Sequence, residues 1–199
     1  MSIRFCDEFE GGLGWVADEL MKRCSHALVA DGRVWVIDPV DAEGVEERIV
    51  GAGAPAGVIQ LLDRHNRDCR ALAYRLDVPY HRLPLRPIPD APFEFIRVLD
   101  ARRWKEVALW WPEPGVLVCA DALGTAGYFV ARGERLGVHP FLRIAPPRRQ
   151  LGRVQPEIVL CGHGAGVLSE AGSALREALS TARRRIPAAL ANAVRTGRR

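Results

Sequence analysis

Long apolar runs are missing from this chain of 199 residues. No uninterrupted hydrophobic segment approaches the roughly 20 residues that span a bilayer, so we expect no membrane partner. The first eight residues end in Asp7 and Glu8 and contain no apolar core of the kind found in secretory signals. These absences predict a cytoplasmic protein.

Lysine is also scarce, because only Lys22 and Lys105 accompany the arginines among the 28 basic residues. The net charge of +4 therefore reflects an arginine bias, which a GC-rich genome explains more simply than phosphate binding does. A basic C-terminal stretch is either a solvated helix end or a contact for an anionic partner. It contains Arg183, Arg184, Arg185, Arg195, Arg198 and Arg199.

The sequence also shows no pattern of paired cysteines. The count of five is odd and no two cysteines have CxxC spacing, so a disulfide framework is not expected in a cytoplasmic chain. Cys119 and Cys161 lie inside apolar runs and are interpreted as small core residues.

Hydrophobic periodicity predicts an α/β (α+β) fold in one domain over residues 1–199. Residues 25–38 form a β-hairpin around Asp31-Gly32, and apolar strands and amphipathic helices alternate after it. Strands are predicted at 58–62, 93–99, 106–111, 116–119 and 157–161, and helices at 42–52, 69–76 and 169–182. This order fits two mixed β-sheets packed face to face and flanked by helices, a four-layer αββα sandwich.

Polar residues follow the predicted strands in a recognisable order. Asp38 ends the first hairpin, Arg64-His65-Asn66-Arg67-Asp68-Cys69 follows strand 58–62, Asp121 follows strand 116–119, and Gly162-His163-Gly164 follows strand 157–161. This series resembles the metallo-β-lactamase superfamily, in which an HxHxDH motif, a Gly-Asp-Ala-Leu segment and a Gly-His-Gly segment occupy these places. The resemblance runs from about Trp15 to the last helix. It implies the αββα fold and a dinuclear metal site.

The resemblance also implies that one of the two metal sites is lost. The histidines of the family's first site are replaced by Arg64, Asn66 and Arg102. An arginine side chain has no lone pair with which to bind a metal ion. These three residues are instead candidates for contacts with an anionic ligand.

A ligand for each position of the family's second site is still present. The resemblance assigns Asp68, Cys69, Asp121 and His163 to this site, where a single zinc ion would accept carboxylate, thiolate and imidazole together. His65 occupies a variable place in the motif and is interpreted as a hydrogen-bonding or exposed residue.

Each of these ligands also has an interpretation without metal. Asp68 is suited to cap a helix, Cys69 to be a buried thiol and His163 to be a hydrogen-bonded turn residue. Asp121 can pair with Arg64 or Arg102. We expect a salt bridge from one of these arginines to Asp68 or Asp121, because facing carboxylates without a metal repel. In either case, Arg64, Asp68, Arg102, Asp121 and His163 are expected to converge in one cleft.

Three functions stay open on these grounds. The first is a protein with an eroded dinuclear site and no classical hydrolase activity, which binds a small anionic ligand without any cofactor. The second is a mononuclear zinc-dependent hydrolase of an ester, thioester, amide or phosphoester. Nucleic-acid processing ranks third, because the arginine bias has a simpler origin.

Overall fold

Two β-sheets form the centre of the protein in a computed structural model, which describes residues 1–196. The first sheet has the strand order β1-β2-β3-β4-β5-β6. Neighbours are antiparallel from β1 to β4, and β4, β5 and β6 are parallel. Its strands are β1 (Ile3–Phe9), β2 (Gly12–Ala17), β3 (Cys24–Ala30), β4 (Arg33–Ile37), β5 (Ala54–Gln60) and β6 (Tyr80–Arg82).

The second sheet has the order β12-β9-β8-β7. β12 and β9 are parallel, whereas β9, β8 and β7 are antiparallel. A short ribbon of β10 and β11 follows β9. The strands of this part are β7 (Glu94–Ala101), β8 (Trp104–Trp111), β9 (Val116–Cys119), β10 (Leu123–Gly124), β11 (Gly137–Val138) and β12 (Ile158–Cys161).

Three buried clusters show that the helices lie outside the two sheets. Trp35 and Ile59 of the first sheet share one cluster with Leu109 and Leu160 of the second, which places a core between the sheets. Two further clusters cover the outer faces, one with the helices after β4 and β5 and one with the helix after β12. The helices are α1 (Val45–Ala52), α2 (Cys69–Arg75), α3 (Arg148–Leu151), α4 (Ala171–Thr181) and α5 (Ile186–Thr196). The predicted αββα sandwich is therefore confirmed.

Local sequence explains most of these elements. Asp31 and Gly32 have φ angles of 50° and 73°, as a two-residue type I′ turn between β3 and β4 requires. The strands β1 and β2 were not predicted. Every residue of β2 is buried, so this strand lacks the alternation of polar and apolar residues that marks a half-exposed strand.

Two further observations concern the surface. No helix within residues 1–196 is long and apolar enough to cross a bilayer. In the basic C-terminal stretch, Arg185 pairs with Glu177 at 2.6 Å, whereas Arg198 and Arg199 lie outside the described residues.

Candidate functional site

The polar residues that follow the strands meet at one edge of the sandwich. Asp38 follows β4, the loop from Arg64 to Arg67 follows β5, Asp121 follows β9 and His163 follows β12. β4 is parallel to β5, and β9 is parallel to β12. The loops that follow the two strands of a parallel pair therefore lie at the same edge of the sheet, where α/β proteins commonly bind ligands.

Two histidines and one aspartate form the centre of this site. Asp121 Oδ1 lies 3.1 Å from His65 Nε2 and 3.1 Å from His163 Nε2. All three side chains are buried, and these ligand atoms lie within 4.8 Å of one another. We call His65, Asp121 and His163 the triad. A tetrahedral zinc ion with bonds of about 2.0–2.1 Å would separate such atoms by about 3.3 Å, so the spacing fits a metal.

The second ring nitrogen of each histidine explains why the triad suits a cation. His65 Nδ1 lies 2.9 Å from Asp38 Oδ2, and His163 Nδ1 lies 2.8 Å from the carbonyl oxygen of Met21. Asp38 and the Met21 carbonyl can only accept. The Tyr128 hydroxyl also lies 2.7 Å from His163 Nδ1, and it donates to the Met21 carbonyl at 2.9 Å, which leaves its oxygen to accept from the ring. This arrangement places the hydrogen on each Nδ1 and a lone pair on each Nε2. Asp121 Oδ1 is buried without a donor aligned on it. Three lone pairs thus converge on one point, and the residues present fit a metal ion.

A proton is the alternative cation at this point. Burial and the Arg67 guanidinium lower the pKa of His65, but the carboxylates of Asp38 and Asp121 outweigh both effects and raise it above 6.5. Burial alone would raise the pKa of Asp121, yet the two imidazoles hold it well below its usual range. Asp121 is therefore ionised, and a metal ion competes with protons for the imidazole lone pairs.

Arg64 neutralises the other oxygen of Asp121. Its Nη2 donates to Asp121 Oδ2 at 3.0 Å, and its guanidinium lies 4.2 Å from the centre of the Trp104 ring. This pair confirms the prediction of a salt bridge from Arg64 or Arg102 to Asp68 or Asp121. The Arg64 side chain is 43% exposed, so the ion pair and the cation–π contact together contribute only about 1–2 kcal/mol.

Arg67 brings a second positive charge that the sequence did not indicate. Its guanidinium donates to the carbonyl oxygens of Cys24, Asp38 and Gly162 at 2.7, 2.8 and 2.9 Å. Nη2 of Arg67 also lies 3.4 Å from His65 Nε2. Burial lowers the pKa of Arg67, although arginine remains charged at any accessible pH. This side chain joins the ends of β3, β4 and β12 beside the triad.

Glu106 supports the loop that carries Asp121. Its buried carboxylate accepts hydrogen bonds from the backbone nitrogens of Asp121 and Ala122 at 3.0 and 2.8 Å, and from Trp104 Nε1 at 2.9 Å. Burial, with a smaller contribution from Asp121, raises the pKa of Glu106 to about 7. The sequence offered a signal that we did not use, since Glu106 is a lone acid at the start of the apolar run of β8.

Several residues predicted for the site lie elsewhere, which corrects the expected convergence. Asp68 Oδ2 accepts from the backbone nitrogen of Asp41 at 2.8 Å. The Cys69 thiol donates to the carbonyl oxygen of His65 at 3.4 Å and packs in the core under α2, where burial raises its pKa far above the usual range. Adjacent residues at a helix start point about 100° apart, so Asp68 and Cys69 cannot both face the triad.

Asn66 and Arg102, the other two residues predicted to contact an anionic ligand, also lie away from the triad. Asn66 is exposed and accepts a long hydrogen bond of 3.4 Å from Gln60 Nε2. Arg102 is exposed in the turn between β7 and β8, and it does not line the pocket above the triad. His65, which we interpreted as lying outside any ligand set, takes the central place instead. The loop after β5 thus turns His65 inward, one position after Arg64, where the resemblance placed the first ligand.

An open pocket of about 270 Å³ exposes the triad to solvent. Three arginines face it, of which Arg23 is paired with Glu19 and Arg64 with Asp121. The lining residues are Met21, Arg23, Arg64, His65, Arg67, Asp121 and His163.

Comparisons with known proteins place the fold. No family model matches the sequence, and no curated protein matches it. Solved structures match with low sequence identity. The FIM-1 metallo-β-lactamase from Pseudomonas aeruginosa, in its mono-zinc form, is 9% identical over 92% of this chain and 97% of that chain, with a TM-score of 0.61.

Two further structures match to the same extent. DIM-1 metallo-β-lactamase is 15% identical, with a TM-score of 0.58 over 92% of this chain and 98% of that chain. A putative diflavin flavoprotein A 5 from Nostoc sp. PCC 7120 is 12% identical, with a TM-score of 0.61 over 92% of this chain and 97% of that chain. From its layers, strand order and these likenesses, the chain has the metallo-β-lactamase fold.

Proposed function

We propose that the triad binds a single zinc-like ion and that the protein hydrolyses a substrate carrying an anionic group. The observation that carries this proposal is the convergence of His65 Nε2, His163 Nε2 and Asp121 Oδ1, with a hydrogen-bond acceptor beside the Nδ1 of each histidine. Three protein ligands leave one coordination position open, as in catalytic zinc sites. The mono-zinc form of FIM-1 is a precedent for one ion in this fold.

The metal would supply polarisation of the scissile bond and a bound water of lowered pKa. The protein's own residues contribute the geometry. Asp38 and the Met21 carbonyl orient the two imidazoles, and Glu106 fixes the backbone of Asp121. These outer contacts hold the ligand atoms at their spacing before any ion arrives, which reduces the cost of binding one.

The arginines select the substrate. Arg64 and Arg23 face the pocket, and Arg64 is exposed enough to turn from Asp121 towards a carboxylate or phosphate of the substrate. An anionic ester, thioester, amide or phosphoester satisfies this requirement. Arg67 is held by three backbone carbonyls, so it adds a fixed positive potential and not a movable contact.

One observation favours a second function, the binding of an anion without metal. Arg67 Nη2 lies 3.4 Å from the same His65 nitrogen that would bind the ion, and a fixed cation there opposes a metal. With His65 protonated between Asp38 and Asp121, the site is satisfied without metal. The pocket would then bind a small anion and carry out no hydrolysis.

Metal analysis of matched variants separates the two functions. The protein is purified without chelator, incubated with zinc and desalted, and its bound zinc is then counted. His65→Ala and His163→Ala should each bind one equivalent less than the wild type. His81→Ala changes a histidine of β6 that lies outside the triad and should bind as much as the wild type.

The outcome also directs the search for activity. If the triad variants bind as much zinc as the wild type, the hydrolase proposal fails and metal-free anion binding stands. Calorimetric titration with inorganic phosphate then tests that function, with Arg64→Met expected to weaken binding. If the triad does hold zinc, a panel of anionic esters, thioesters, amides and phosphoesters is assayed with the wild type and His163→Ala.

A further inference from the structure

A second group of ligand-competent side chains shares no residue with the triad. Cys6 and Asp7 lie on β1, and Cys24 and His26 lie on β3. Sγ of Cys24 lies 3.8 Å from Cys6 Sγ, 3.8 Å from Asp7 Oδ2 and 3.6 Å from His26 Nε2. His26 Nε2 lies 3.4 Å from Asp7 Oδ2. We call these four residues the Cys6–His26 cluster.

The backbone provides the space for this cluster. β2 runs between β1 and β3, and its Gly14 pairs with Cys6 on one side and with His26 on the other. A Cβ atom on Gly14 would lie 2.9 Å from His26 Cδ2 and 3.2 Å from Asp7 Oδ2. The side chains from β1 and β3 therefore meet above β2 only because Gly14 has no side chain.

A bulge in β1 turns two consecutive residues to the same side. Neighbours in a regular strand point to opposite faces, but the pairing of β1 with β2 shifts between Cys6 and Phe9. Within this shift, Asp7 has a φ angle of 53°. The bulge allows Cys6 and Asp7 both to reach Cys24, so two ligands come from one short segment.

A disulfide does not explain the approach of the two thiols. Cys6 and Cys24 are on strands separated by β2, and such strands lie about 9–10 Å apart. The Cα atoms of a disulfide must lie within about 4.4–6.8 Å. Both cysteines are free in the structure, and the sheet keeps them in that state.

The ligand atoms of Cys6, Asp7 and Cys24 all lie within 4.8 Å of one another, and the four distances above are instead close to the edges of a tetrahedron around a zinc ion. Zinc–sulfur bonds of about 2.3 Å separate two sulfur ligands by about 3.8 Å, and a sulfur and an imidazole nitrogen by about 3.6 Å. The carboxylate–imidazole edge is expected at about 3.3–3.4 Å. We propose that Cys6, Asp7 and Cys24 bind one zinc ion in a structural site, with His26, which lies against Asp7 and Cys24, as the fourth ligand.

The surroundings of the cluster support this site. Asp7 Oδ1 accepts from the backbone nitrogen of Gly166 at 2.8 Å, which fixes the carboxylate and leaves Oδ2 to face Cys24 and His26. The guanidinium of Arg67 is directed at the carbonyl oxygen of Cys24 and not at its thiol. An ion here joins β1 to β3, so its binding free energy adds to the stability of the folded state.

Cobalt binding tests the site independently of the triad. Co²⁺ bound by thiolates gives a charge-transfer band in the near ultraviolet, and the triad contains no sulfur. The apo protein is prepared with chelator and titrated with Co²⁺. The wild type should develop the band, and Cys6→Ser and Cys24→Ser should reduce it to half or less.

Two controls keep the result specific. Cys119→Ser changes a buried cysteine of β9 outside the cluster, and His163→Ala removes a triad ligand; both should keep the full band. Because Cys24 is fully buried and its variant can misfold, Cys6→Ser at a partly exposed position is the decisive variant. In the wild type, zinc should also slow alkylation of Cys6 by iodoacetamide, detected by mass spectrometry. A wild type without the band, or a band of undiminished intensity in Cys6→Ser, overturns the proposal.

Discussion

Replacing Arg67 by methionine should lower stability and strengthen metal binding at the same time. The guanidinium makes three hydrogen bonds to backbone carbonyls, each worth about 1.5–3 kcal/mol when the donor is charged. Methionine keeps much of the volume but leaves the three carbonyls without a donor. Part of this loss is offset, because a charge no longer has to be desolvated and water from the pocket can reach the carbonyls. The net loss is expected to be about 2–4 kcal/mol.

Removal of this charge should have the opposite effect on the triad. Arg67 Nη2 lies 3.4 Å from His65 Nε2, so its charge opposes any divalent ion bound there. Without it, zinc should bind at least about tenfold more tightly, since the repulsion at such distances amounts to several kcal/mol even at an effective dielectric constant near 20.

Urea unfolding and zinc titration of the same variant test both effects. Arg64→Met is the matched control, because Arg64 is 43% exposed and has an ion pair to Asp121 worth about 1 kcal/mol or less. Our account of the site would be refuted if Arg67→Met lost no more stability than Arg64→Met. Unchanged or weaker zinc binding in a folded Arg67→Met protein would contradict the electrostatic part of the argument alone.

Two further changes have defined outcomes. Because burial raises the pKa of Glu106 from 4.5 to about 7, the folded state prefers the protonated acid, so this group's contribution to stability is complete below pH 4.5 and is lost as the pH rises through 7. Glu106→Gln should remove about 3 kcal/mol of that pH dependence, measured by urea unfolding as the difference in unfolding free energy between pH 4.5 and 7.5. The same difference in the variant and the wild type would contradict this. Gly14→Ala should lower stability by about 1–3 kcal/mol, because the added carbon meets His26 at 2.9 Å. Gly51→Ala in α1, where a Cβ meets nothing within 4 Å, should instead raise the melting temperature slightly, and a loss there equal to that of Gly14→Ala would argue against the steric explanation.

The layered fold could be predicted because its central elements have strong local signals. The apolar runs of β5, β9 and β12 and the helical periodicity of α2 each fix an element, and their order restricts the topology. β1 and β2 escaped prediction, because β2 is buried on both faces and β1 carries a bulge. Neither pattern has the period of two that identifies a strand from sequence.

The candidate site was harder to predict, since its residues lie in loops without periodicity. Asp121 and His163 were identified through the family resemblance, because each lies in a motif that closely follows an apolar strand. The loop after β5 has no such reference, and Arg67 within it has a φ angle of 34°, which the sequence does not reveal. When the family motif is aligned one residue too early in this loop, Arg64 and Asn66 fall on the ligand positions and His65 between them does not. Arg67 and Glu106 were missed for another reason, because their roles depend on backbone groups brought together from distant strands.

The way in which Arg64 is held determines how a ligand reaches the pocket. Below it, the two sheets are joined by backbone hydrogen bonds from Cys24 to Gly162 and from Gly164 to Lys22, each of 2.8 Å, so the walls of the pocket cannot separate without breaking sheet structure. Arg64 is attached only through a ring contact with Trp104 and hydrogen bonds to Asp121 and the Arg103 carbonyl. Rotation of such an exposed side chain takes picoseconds to nanoseconds. Because the pocket is already open, a turn of Arg64 changes which groups face the ligand without any movement of the fold, and ligand entry should be limited by diffusion.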